Sequence, residues 1–192
     1  MKNNKGFTLI ELLTVIVILG VVSTIAIPSV NNVIDNSKKK AFVADANFYV
    51  DAVKTAFMQH EYDAPVDKND VTVISLNVID MDSENINSPY GAKWVDNKSY
   101  VAVTNVGTSI EPKYVYYFAA QDEDRNAIPL TNINDITTKS ITNEARNTME
   151  VTVQSLAGDI TGAKSVKSNI SGLKNAIENG EKQDWDVTIY TK

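Results

Sequence analysis

Lys5-Gly6-Phe7-Thr8-Leu9-Ile10-Glu11-Leu12-Leu13 joins a short polar, basic leader to an unbroken apolar run, and its one acid decides how the chain is read. Residues 7–27 number 21, and Glu11 is the only charged one among them. As a helix rising ~1.5 Å per residue, the run is about 31 Å long, the hydrocarbon thickness of a bilayer. A carboxylate deep in lipid costs about 2.5–3.5 kcal/mol, and less near the membrane edge. An ordinary anchor has no reason to keep such a group. Something must neutralise it.

A secretory signal does not fit the same stretch. Such signals carry an apolar core of about 7–15 residues followed by a small-residue cleavage site. Here the run is longer, holds an early acid, and ends in Ile27-Pro28-Ser29. An ordinary membrane anchor explains the length but neither Glu11 nor the Gly6-Phe7 junction. Lys2 and Lys5 precede the span, which favours a cytoplasmic N-terminus and an external remainder.

The junction resembles the processing site of type IV prepilins, and of the wider filament superfamily that includes type II secretion and competence pseudopilins. The resemblance covers residues 1–30 and is thin beyond them. It implies that a membrane-embedded prepilin peptidase cuts after Gly6 and methylates the new amino group of Phe7. It further implies that Glu11 pairs with the Phe7 amine of a neighbouring subunit during assembly. Gly20 and Pro28 fall where relatives carry a helix-loosening glycine and proline. The implied partners are identical or related pilin subunits, the peptidase, and a membrane assembly platform with its ATPase.

Elementary electrostatics agrees with that expectation. Cleavage at Gly6 leaves a positive amine on Phe7, opposite in sign to Glu11. Two unit charges ~4 Å apart gain about 4 kcal/mol at an effective dielectric near 20, comparable to the insertion penalty. Residues four apart on one helix are also neighbours, so a pair within a single chain stays open beside the intermolecular one.

The remaining sequence fits one soluble domain beyond the span. The 192 residues carry a net charge of −6, and removing Lys2 and Lys5 leaves −8. An acidic body argues against a general nucleic-acid surface. Lys38-Lys39-Lys40, the one basic run, reads as a wet helix face. There are no cysteines, which removes disulfide and thiolate-metal chemistry.

Past Pro28, where a kink or local opening is expected, the helical pattern resumes to about His60. Phe42, Ala46, Tyr49, Val53 and Phe57 recur at steps of four, three, four and four, one face of an amphipathic helix. Ala41, Phe48, Ala52 and Ala56 are expected to widen that face. Residues 71–79 read either as a strand or as part of a loop. Ser88-Pro89-Tyr90-Gly91 is a turn, similar to the Pro-aromatic-Gly turn before the sheet in pilins. Residues 100–106 and 113–120 read as strands joined by a hairpin link, with Tyr114, Tyr116 and Phe118 on one face. Residues 131–148 look like a surface excursion and 149–154 like a strand. Val166, Ile170, Leu173 and Ile177 fall at helical steps before Gly180, with Gly172 counting against a helix. Residues 185–190 alternate as a strand that joins the sheet, an edge being open to it.

No catalytic site, cofactor site or metal site is expected. His60 is the single histidine, and no nucleophile or metal cluster can be built around it. Asp122-Glu123-Asp124-Arg125-Asn126 begins like a calcium loop but has Ala127 and Ile133 where glycine and an acid are needed. It reads as a solvated acidic loop, and Asp80-Met81-Asp82-Ser83-Glu84 as another.

These readings converge on an α+β chain: a long N-terminal helix, hydrophobic and transmembrane in its first half, packed by its second half on an antiparallel sheet. The expected divisions are a leader, 1–6; a membrane and filament-core helix, 7–28; its amphipathic continuation, 29–62; and a head, 63–192. The expected function is that of a type IV pilus subunit, serving adhesion, aggregation or motility. A pseudopilin of a secretion or DNA-uptake machine, and an anchored surface domain that never polymerises, remain open.

Overall fold

The computed structural model describes residues 6–67, 70–79, 87–144, 162–166 and 184–190. One helix, α1 (Leu9–Met58), is followed by strands β1 (Asp70–Ser75), β2 (Tyr100–Asn105), β3 (Tyr114–Gln121), β4 (Ala127–Asn132), β5 (Gly162–Val166) and β6 (Asp184–Tyr190). The chain divides into two compact units, Met1–Lys38 and Lys39–Lys192. The second holds the end of α1 and the whole sheet. The architecture is α+β, with a long, apolar N-terminal helix and an antiparallel-rich sheet.

In the second unit, the face of α1 carrying Phe42, Ala46, Tyr49, Val50 and Val53 is fully buried. It packs with Ile74, Val101, Val103, Phe118, Ala120 and Ile128 in one core. Aromatic contacts fix the seat of the helix. Phe42 stacks on Trp94 at 5.0 Å between ring centroids, and Tyr49 on Phe118 at 6.2 Å. Phe57 meets Tyr114 at 6.4 Å, and the Lys54 ammonium lies 5.3 Å from the Tyr116 ring centre. The expected row Tyr114-Tyr116-Phe118 therefore faces the helix.

Two members of the expected helix face are not in the core. Ala41 and Phe48 are exposed, Phe48 to 58%, while Ala52 is half-buried and Ala56 buried. At about 100° per residue, Phe48 points roughly 140–160° away from Ala46 and Val53 at the middle of the buried face, too far round to reach the same sheet.

The sheet runs in the order β4-β3-β2-β1-β6-β5. The β1–β2, β2–β3 and β3–β4 pairs are antiparallel, whereas β6 runs parallel to both β1 and β5. Residues 71–75 thus resolve as strand, and the 185–190 strand is interior rather than at an edge. β2 is buried along its whole length, which explains why Tyr100–Val103 run apolar without alternation before the buried Thr104 and Asn105. The β2–β3 link is tied by Asn105. Its side-chain oxygen accepts from the N–H groups of Gly107 and Lys113, and its amide donates to Val66 O at 2.6 Å.

β4 is a strand the alternation does not announce, because Pro129 interrupts it. A proline is tolerated there because β4 is at the sheet edge. The segment after it is no free excursion up to residue 144. It turns twice in short 3-10 helices, Ile133–Asp135 and Thr138–Ser140, and Thr142 exchanges backbone hydrogen bonds with Ala127. Ile136 is buried, and Ile133 and Ile141 pack on the core. Val166, where helical spacing begins in the sequence, belongs to β5. The expected strand at 149–154, the rest of the helix through Ile177, and the 80–84 acids lie outside the described residues.

Candidate functional site

The sequence points to the N-terminal junction, and the first unit contains it. Phe7 is 89% exposed, and every large apolar residue from Leu9 to Ile27 is open to the surroundings. This part of α1 is long and apolar enough to cross a membrane, and none of it is buried in the protein. An apolar surface of this extent requires lipid or other protein around it.

Glu11 is already engaged within its own chain. Its carboxylate accepts the backbone N–H of Thr8 at 2.8 Å and the Thr8 hydroxyl at 2.7 Å. In return the Glu11 N–H points at Thr8 Oγ1, 3.4 Å away. Thr8 is the N-cap and Glu11 the third helical residue, so the two form a reciprocal capping box that satisfies otherwise orphaned N–H groups. The signal, Thr8-x-x-Glu11 ahead of an apolar run, is in the sequence and is independent of any pairing between chains. Sequence reasoning aimed at Phe7 and Glu11 passes over Thr8. The described geometry brings Glu11 to Thr8 rather than to Phe7.

Gly6 and Gly20 have nothing within 4 Å of where a Cβ would stand. The fold of the single chain therefore does not demand glycine at either place. Any demand at Gly6 comes from whatever binds the junction, and any at Gly20 from backbone freedom or from a close neighbour.

Through Pro28 the single chain does not open: α1 is continuous from Leu9 to Met58. Proline lacks the N–H that Thr24 O would accept, yet the turns on both sides keep the chain helical. One turn earlier the Thr24 hydroxyl donates to Gly20 O at 2.9 Å, a bond that competes with the backbone ladder. Gly20, Thr24 and Pro28 thus follow one another at steps of four, each weakening the same row of helix hydrogen bonds.

The other acidic candidate proves to be architectural. Asp122 is fully buried, not solvated. It accepts from Ser88 Oγ at 2.6 Å and from the Asn126 N–H at 2.8 Å, tying the 88–91 turn to the β3–β4 turn. Glu123 and Asp124 are exposed. Among the described residues no group of three or more His, Cys, Asp or Glu is placed to hold a metal. His60 is exposed at the end of α1, with φ of 60°.

Residues 1–27 match the family model for the prokaryotic N-terminal methylation motif. No solved structure matches the chain. The motif marks a structural rather than an enzymatic family, and it implies processing by a prepilin peptidase and assembly with pilin subunits. With the motif spanning the junction, and an exposed apolar helix behind it, the N-terminal region of this chain is that of a type IV pilin- or pseudopilin-type prepilin.

Proposed function

We propose that the chain is a structural subunit of a type IV pilus. The single observation that carries the proposal is Glu11, a carboxylate retained in an exposed apolar helix directly after the Gly6-Phe7 junction. In this reading the precursor waits in the cytoplasmic membrane, N-terminus inside, with residues 7–28 in lipid and the head outside. Removal of residues 1–6 exposes the Phe7 amine, which is then methylated. An ATPase-driven platform extracts subunits, and the Phe7 amine of one meets Glu11 of another. Thr8 holds the carboxylate before assembly, so the acid enters lipid with its lone pairs partly satisfied. Lipid and a helix bundle are similarly apolar, so packing and charge pairing, not hydrophobicity, direct the transfer. Axially displaced pairing does not close on itself and yields a helical filament. The row Gly20-Thr24-Pro28 supplies a stretch that can loosen as neighbouring helices pack.

The length of the body beyond the span favours a pilus subunit over a small competence pseudopilin. The test is mass spectrometry of filaments sheared from cells. A peptide beginning at methylated Phe7 is the expected result, with Glu11→Gln lowering filament yield while the head stays folded. A chain found only in membranes and still starting at Met1 overturns the proposal. Filaments at wild-type yield from Glu11→Gln overturn the pairing.

A further inference from the structure

The part of α1 in the second unit has two apolar faces, and the sheet covers only one. Phe42, Ala46, Tyr49, Val50 and Val53 are buried in the core. On the far side lie Ala41, Ala44 and Phe48, all exposed, with steps of three and four between them. That spacing is the seam of a left-handed helix pair, in which the first and fourth positions of each seven face the partner. In the same register the buried residues occupy the outer positions, so a partner on the seam and the sheet do not compete for the helix.

The flanks of the seam carry opposite charges at a diagnostic separation. Lys40 is exposed and precedes the seam on one side. Asp45, five residues on, borders the other side. In parallel, in-register helix pairs, charges five apart across the seam reach each other reciprocally. Asp45 is half-buried, and none of the described side chains gives it a hydrogen bond or a cation. The next charges along the helix, Asp51 and Lys54, are paired with each other at 2.8 Å and leave it unanswered.

We propose that this face is a docking surface for a second copy of the chain, forming a parallel, in-register helix pair before any filament exists. Ala41, Ala44 and Phe48 make the seam, and Lys40 of each copy pairs with Asp45 of the other. The inference rests on the reading of the chain as a membrane-anchored prepilin. Copies anchored through the same N-terminal run present α1 in the same direction, and confinement to a membrane raises their effective concentration enough for a short seam to matter.

The chain contains no cysteine, so single cysteines report contacts without background. The test uses full-length precursor with Gly6 replaced to block processing, carrying one cysteine at each position from 40 to 55 and oxidised in native membranes. Disulfide dimers are expected to peak at Ala41→Cys, Ala44→Cys and Phe48→Cys, at least fivefold above Asn47→Cys and Lys54→Cys. Same-residue cross-links at three seam positions require a parallel, in-register pair. Lys40→Asp should abolish the Ala44→Cys dimer, and adding Asp45→Lys should restore it. A profile that is flat around the helix overturns the proposal, as does a Lys40→Asp variant that dimerises normally. Because the precursor is uncleaved, either result is independent of filament formation. A flat profile beside normal incorporation of the processed chain sinks this pair and leaves the pilus reading standing.

Discussion

The Tyr190 hydroxyl accepts the backbone N–H of Asp63 at 2.9 Å and lies 3.1 Å from the same residue's carboxylate, joining positions 127 residues apart. The ring of Tyr190 also packs on Tyr62, 4.7 Å between centroids, and Tyr62 donates to Val78 O at 2.7 Å. One tyrosine thus pins β6 to the chain just after α1. Tyr190→Phe keeps the ring and removes the hydroxyl. It should cost about 1–2 kcal/mol, measured by denaturant unfolding of the full-length protein in detergent. An unchanged midpoint would show that solvent replaces both bonds without loss.

Gly107 is required by close approach. A Cβ there would collide with Glu111 O and stand 2.7 Å from Lys113 N. Both are backbone atoms of the β2–β3 link and cannot swing away. Gly107→Ala should destabilise the head by about 1–3 kcal/mol, the range for overpacking. Gly20→Ala, with open space around it, should leave the melting temperature of the head unchanged. Equal effects from the two would contradict the geometry.

Burial pushes the Asp45 carboxyl up from its ordinary 3.8 to about 6. The folded chain holds this proton more tightly than the unfolded chain. Its contribution to stability is therefore full below about pH 3.8 and is lost as pH rises through about 6. Solvent reaches half of the group and softens the effect. For monomeric protein in detergent, Asp45→Asn should raise the melting temperature at pH 7.5 and leave it near wild type at pH 4. A variant less stable than wild type at pH 7.5 would reveal a partner for the ionised form.

The Thr8 cap predicts a local effect. Thr8→Val removes the hydroxyl and, with it, part of the capping box. Losing such a cap costs about 1 kcal/mol, roughly a fivefold increase in amide exchange. That increase should be confined to the first turn after Thr8, read by hydrogen exchange on the protein in micelles. Protection unchanged in that turn would mean that Glu11 is held some other way.

The residues that declare the fold in the sequence are those whose neighbours lie within one turn or one hairpin. The 7–27 run, the Phe42-Ala46-Tyr49-Val53 face and strands β2 and β3 are read from periodicity alone. β4 escapes because Pro129 breaks its pattern, and only its place at the edge makes that break harmless. The position of β6 escapes for another reason: alternation reveals a strand but carries no information on which strands flank it. Phe48 is misplaced because a helix face has limited width, and a residue next to a buried one is turned through about 100°. At the junction, Glu11 is conspicuous for its charge, while Thr8 is easily passed over because its contribution is geometric.

β6 lies between β1 and β5 and runs parallel to both. This sets the order of events in the life of the molecule. During synthesis the apolar helix emerges first. The sheet cannot close until residues as late as 190 have arrived, because until then β1 has an open edge. Completion of the sheet thus waits for the last strand of the chain. Cutting synthesis short before β6 would leave β1 with a bare strand edge, open to pairing with another chain.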